Sequence, residues 1–154
     1  MSISIGVKAP DFVLPTNSDK KLSLSNLKGS KVVLYFYPKD LTPGCTLQAQ
    51  DFRDHANKFK KAGAVIIGVS KDSIERHEKF KLKHHLNFTL LSDKDGTLCE
   101  DYGVWQKKKL YGREFMGIVR TTFLIDGDGL VRNIWEKVKV KGHVMEVLES
   151  LARI

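Results

Sequence analysis

The chain has 154 residues, 42% of them hydrophobic and 29% charged, which suits a single domain spanning 1–154 with its own core and excludes a disordered chain. Lys+Arg 26 against Asp+Glu 18 leaves a net charge of +8. The lysines are dispersed, with Lys107, Lys108 and Lys109 the densest cluster, and no nucleic-acid-reading module accompanies them, so they read as a solvated basic face. Two cysteines are too few for a secreted disulfide framework, no apolar stretch is long enough to span a bilayer, and the first residues lack a basic segment followed by an apolar one. A cytoplasmic location is the expectation.

Residues 32–37, "VVLYFY", read as a buried strand ended by Pro38. From 42 to about 61 the period changes. Cys45, Ala49, Phe52, Ala56 and Phe59 form the stripe of one amphipathic helix, closed by Gly63. "AVIIGV" at 64–69 is a second buried strand. Asp72-Ser-Ile-Glu75 has the capping-box pattern and opens a helix to about 85. Residues 88–91 are a third strand, followed by an Asp93-Lys-Asp-Gly96 turn and a short helix over 97–102. Residues 105–117 read as an irregular hairpin or loop. Strands at 119–125 and 130–135 flank Asp126-Gly-Asp-Gly129, a hairpin turn signal, and Val144, Val147, Leu148 and Leu151 give a last helix its apolar face. A βαβ unit followed by ββα on one mixed sheet, flanked by helices, is the thioredoxin-like α/β arrangement.

The segment "PKDLTPGCT" (38–46) carries the chemistry. Thr42 suits the N-cap and Pro43 the first helical position, which puts Gly44 second and Cys45 third. Unpaired N–H groups and the positive end of the helix dipole favour an anion there, and the thiolate is the nucleophilic form of cysteine. The same position also suits a small apolar residue on a buried face.

"FYPKDLTPGC" resembles the active-site segment of the peroxiredoxins, with Pro38, Thr42 and Cys45 at the family's spacing. The longer run "YFYPKDLTPGCTLQAQDFRD" is most similar to the bacterioferritin comigratory protein, or peroxiredoxin Q, subfamily. The likeness continues through "GVKAPDFVLP", "FTLLSDKDGTLCEDYGVW" and "GIVRTTFLIDGDGLV". The resemblance implies a thiol-dependent peroxidase that reduces hydrogen peroxide and organic hydroperoxides. In it Cys45 is the peroxidatic cysteine and becomes a sulfenic acid. Thr42 hydrogen-bonds thiolate and peroxide, Pro38 shields the sulfur, and Arg120 stabilises the developing charge. Gln48 matches a subfamily position, with a less defined role.

One position departs from the pattern. Many peroxiredoxin Q proteins have a resolving cysteine five residues after the first, where this chain has Gln50. The other cysteine, Cys99, is either a buried helix residue or an unusual resolver. A one-cysteine mechanism is therefore expected, with thioredoxin, glutaredoxin or a low-molecular-weight thiol as reductant. The expectation includes no cofactor, metal, membrane or specific nucleic acid, and a monomer or weak dimer. Asp93–Gly96 fails the calcium-loop register, His84-His85 has no partner cluster, and the sequon at Asn87 needs secretion to matter. Gln48 stands where a Cys-x-x-Cys would need its second thiol, which argues against a dithiol reductase. The alternative of another class is a thioredoxin-fold holdase or a basic nucleic-acid-associated module, which would have no need of a thiol beside Thr42 and Arg120.

Overall fold

The computed structural model describes residues 3–16 and 20–154. The elements in chain order are β1 (Val13–Pro15), β2 (Lys21–Ser23), a 3-10 turn (Ser25–Leu27), β3 (Lys31–Phe36), α1 (Pro43–Asp54), α2 (Ala56–Lys61), β4 (Ala64–Ser70) and α3 (Ile74–His84). There follow β5 (Thr89–Ser92), α4 (Leu98–Asp101), β6 (Trp105–Leu110), β7 (Arg113–Ile118), β8 (Thr121–Ile125), β9 (Val131–Trp135) and α5 (His143–Leu151). A five-stranded sheet runs in the order β5-β4-β3-β8-β9. Its β3–β4 and β4–β5 pairs are parallel, and β3–β8 and β8–β9 antiparallel.

The apolar run at 32–37 becomes the central strand because both of its faces are covered. Val32, Leu34 and Phe36 point into one core with Ile67, Leu91, Cys99, Tyr102, Phe123 and Val131. Val33, Tyr35 and Tyr37 point into the other with Cys45, Ala49, Phe52, Phe59, Phe80 and Val147. Side chains alternate across a strand, so the sheet itself divides the two cores. Burying one such aliphatic or phenyl side chain contributes roughly 1.5–3 kcal/mol. The two cysteines lie on opposite sides of that divide.

Four local expectations change. The single helix expected over 42–61 is split at His55. The His55 Nδ1 lies 2.8 Å from the Asp51 carbonyl oxygen and takes up a group that would otherwise serve the helix alone. The cap of α3 is Ser73, which accepts from the Arg76 N–H, and not Asp72, whose carboxylate serves the neighbouring loop. Residues 105–118 form a regular antiparallel hairpin, with both turn residues left-handed (Tyr111 φ 51°, Gly112 φ 76°), as a two-residue primed turn requires. It stands largely in solvent on both faces, so its sequence carries no alternation to read. The strand expected from 119 begins at Thr121, which leaves Val119 and Arg120 as a two-residue link between β7 and β8.

Candidate active site

Local geometry follows the sequence at the start of α1. Thr42 is the N-cap with extended backbone, and Pro43, Gly44 and Cys45 fill the first three helical positions. The Thr42 hydroxyl donates to the Lys39 carbonyl (2.8 Å) instead of capping the helix. Its one proton is thereby used, and its oxygen lone pairs remain for a donor. Pro38, half-buried, begins the same loop directly after Tyr37.

Cys45 is 3% exposed. Arg120 reaches it from 75 residues away in sequence, with Nη2 3.3 Å from Sγ. Nη1 of the same guanidinium donates to Gln48 Oε1, one turn further along α1. The planar fork thus spans sulfur and amide together, which a point-charge lysine could not do. A Cβ on Gly44 would stand 3.4 Å from Arg120 Nη2, an ordinary contact distance, so the guanidinium lies close against the helix start. Stacked Tyr35 and Phe52, with ring centroids 4.6 Å apart, pack in the same core as the sulfur. Among the described residues, the Tyr35 hydroxyl and Gln48 Nε2 are the buried side-chain atoms without a hydrogen-bond partner. Gln48 is a neighbour of the sulfur through Arg120, and Tyr35 feels the charge of Cys45, so the unspent polar capacity of the fold collects here.

Two residues that feel the Arg120 charge carry no signal in the sequence. Lys108, read as part of a solvated cluster, turns its Nζ inward to the Ile118 carbonyl (2.9 Å). Its ammonium is pushed down by burial and then by Arg120, while Cys45 pulls the other way. It is a second cation whose charge interacts with Cys45, on a hairpin that reads as irregular in the sequence. His143, at the start of α5, is buried with Nε2 2.8 Å from Thr122 Oγ1. Burial first, and then the Arg120 charge, push its imidazole down from 6.5 to about 4.

His143 therefore stays neutral in the fold and takes a proton once the chain unfolds. Between about pH 4 and 6.5 the unfolded state binds more protons. Stability is full above that window and is lost as the pH falls through it, by roughly 3 kcal/mol at most. His143→Gln keeps a polar partner for Thr122 and cannot titrate. Melting curves at pH 7 and pH 4.5 should show a larger drop for wild type than for this variant. Equal drops would mean that His143 does not carry the effect.

Cys99 is not brought to Cys45. It is fully buried in the opposite core, and its N–H donates to Asp93 Oδ2 (2.9 Å). Burial, and then the Asp93 carboxylate, push its thiol far up. Asp93 also accepts from the Leu98 N–H, so the expected Asp93–Gly96 turn serves to cap α4. Gln50, at the position where relatives carry a second cysteine, is half-buried, with Nε2 3.4 Å from His84 Nδ1.

The AhpC/TSA family profile matches residues 5–134. The chain is 57% identical over 151 residues to a putative peroxiredoxin bcp of Coxiella burnetii, covering 98% of this chain and 100% of that one. It is 54% identical over 151 residues to peroxiredoxin Bcp of Bacillus subtilis, covering 98% and 96%. Among solved structures, the bacterioferritin comigratory protein of Xanthomonas campestris, studied for its alkyl peroxide reduction activity, superposes with a TM-score of 0.87 at 42% identity, over 92% of this chain and 90% of that one. A cysteine-to-serine mutant of Xylella fastidiosa PrxQ gives a TM-score of 0.92 at 35% identity, over 98% and 96%. These neighbours share the mixed sheet and flanking helices expected from the element order, the thioredoxin-like arrangement of peroxiredoxins.

Proposed function

The chain belongs to the AhpC/TSA family and is a peroxiredoxin of the Bcp, or peroxiredoxin Q, type, a thiol-dependent peroxidase, and from this premise we propose that Cys45 is its peroxidatic residue, working without a resolving cysteine. The observation that carries the reading is the Arg120 guanidinium, 3.3 Å from a sulfur in the first turn of α1.

The Cys45 thiolate attacks the terminal oxygen of a hydroperoxide. An S–O bond forms, the O–O bond breaks, and the sulfur loses two electrons to become a sulfenic acid. The alkoxide or hydroxide that leaves takes a proton from solvent. Arg120 stabilises the thiolate before the reaction and the leaving oxygen during it. The Thr42 oxygen accepts from the peroxide O–H, and Pro38 screens the sulfur from bulk water. One external thiol then condenses with the sulfenic acid, releasing water, and a second thiol restores Cys45 and leaves as a disulfide. Thioredoxin, glutaredoxin or a small thiol could each supply those equivalents. The reading includes a single domain over 1–154, a cytoplasmic setting and a monomer or weak dimer. No helix among the described residues is long and apolar enough to cross a membrane.

One equivalent of peroxide, followed by dimedone and mass spectrometry of non-reduced protein, tests the proposal. Most of the adduct should sit on Cys45, excess peroxide should carry the same sulfur to the sulfinic state, and Cys99→Ser should turn over within about twofold of wild type. Cα atoms must come within about 7 Å for a disulfide, and here the sheet stands between the two thiols. A near-quantitative Cys45–Cys99 disulfide, with turnover lost in Cys99→Ser, would overturn the one-cysteine reading.

A further inference from the structure

We propose that Asp40 and His77 are positioning residues for Cys45, a buried clamp that holds the loop before α1 in the geometry in which the sulfur meets Arg120. The inference rests on Cys45 being the residue oxidised.

Every polar atom of Asp40 is taken. Its carboxylate accepts from the Tyr37 hydroxyl (2.5 Å) through Oδ1, and Oδ2 lies 2.5 Å from His77 Nδ1. Its N–H donates to Asp72 Oδ2 (2.8 Å), and its carbonyl accepts from Arg76 Nη2 (3.0 Å). Asp72 is itself held by the Ser70 hydroxyl (2.6 Å) and by Arg76 Nε (3.1 Å). His77 Nε2 lies 2.9 Å from the Leu91 carbonyl oxygen, which can only accept, so that nitrogen carries a proton. The contact between Nδ1 and Oδ2 holds one more. Whichever atom bears it, the pair is neutral as a whole and fully satisfied, with His77 1% and Asp40 0% exposed. The cluster thereby ties β3, α3, the β4–α3 connection and β5 to one residue of the loop.

Ligand atoms of Asp40, Asp72 and His77 lie within 4.8 Å of one another. A cation is not what this arrangement suits, since both imidazole nitrogens are already bonded and the Arg76 guanidinium sits on Asp72.

What the clamp holds is a strained turn. Leu41, the next residue, has φ 65°, a left-handed backbone that a branched side chain adopts only when its surroundings impose it. Thr42 and the helix start follow at once. With the carboxylate freed, Leu41 relaxes and takes the first turn of α1 with it. Displacement of a reacting atom by about 1 Å can cost on the order of 100-fold in rate.

The test is single-turnover oxidation of Cys45 by peroxide, read as dimedone adduct at that residue, at 25 °C. His77→Leu should slow oxidation about 10–100-fold. His77→Asn, whose amide can donate where Nδ1 does, should recover to within about threefold of wild type. Val131→Ala, a core change on β9, lowers the melting temperature without slowing oxidation, and separates positioning from stability. Asp40→Asn and Tyr37→Phe provide the same measurement should His77→Leu fail to fold. Oxidation at the wild-type rate in folded His77→Leu, or in folded Asp40→Asn if the former does not fold, would overturn the clamp, as would an asparagine variant no faster than the leucine one. Absence of any adduct on wild-type Cys45 would instead sink the assignment of the peroxidatic residue.

Discussion

Cys45→Ser should consume no hydroperoxide above the rate of the reductant alone, a loss on the order of 10⁴-fold or more, as for removal of other catalytic nucleophiles. A serine hydroxyl at this place keeps the shape of the side chain and the hydrogen bond from Arg120. It does not ionise near neutral pH and offers no sulfur to take up oxygen. The remaining thiol cannot substitute. Cys99 is sealed in the core on the other side of the sheet, and burial and Asp93 oppose its ionisation. The fold should survive, because Cys45 sits at the edge of its core beside a guanidinium, where a hydroxyl finds a partner and the destabilisation stays within roughly 1–3 kcal/mol. Peroxide consumption followed with each candidate reductant, alongside a melting curve, checks both halves. Turnover within tenfold of wild type in a folded Cys45→Ser protein would remove Cys45 from the chemistry.

The parts of this site that could be read in the sequence are those set by local rules. Thr42, Pro43, Gly44 and Cys45 occupy the cap and first-turn positions that their residue types predict, because cap preferences depend on a few adjacent residues. β3 was legible because a strand covered on both faces is apolar throughout. Lys108 was not, because nothing in three consecutive lysines tells which one turns inward. The hairpin that presents it has no buried face to impose a period. Arg120 came to Cys45 by resemblance alone, since an arginine in a link between strands has no local signal for the partner that it meets. Asp40 and His77 lie 37 residues apart, and each is ordinary in its own segment. A polar cluster of that kind exists only once α3 packs on the sheet, so it belongs to tertiary structure and to no pattern in the chain.

Arg120→Met should slow oxidation of Cys45 about 100-fold, which is what loss of one well-placed donor to developing charge usually costs. Methionine retains much of the length and the apolar contact of the side chain. It removes both arms of the fork, the one on Sγ and the one on Gln48 Oε1. The effect should fall on the rate constant for oxidation, because the charge on the leaving oxygen develops only as the O–O bond breaks. Arg120→Lys separates charge from geometry. Its ammonium restores a positive charge but cannot hold sulfur and amide in one plane, so its rate should lie between the two. Gln48→Met leaves the cation and removes its tether, and a loss smaller than that of Arg120→Met is the expected result, since the arm on Sγ remains. Stopped-flow oxidation under excess peroxide, without reductant, measures all three. If Arg120→Met oxidises at the wild-type rate, the guanidinium at 3.3 Å is a packing contact and the charge on the leaving oxygen is borne elsewhere, with Lys108 the next cation to remove.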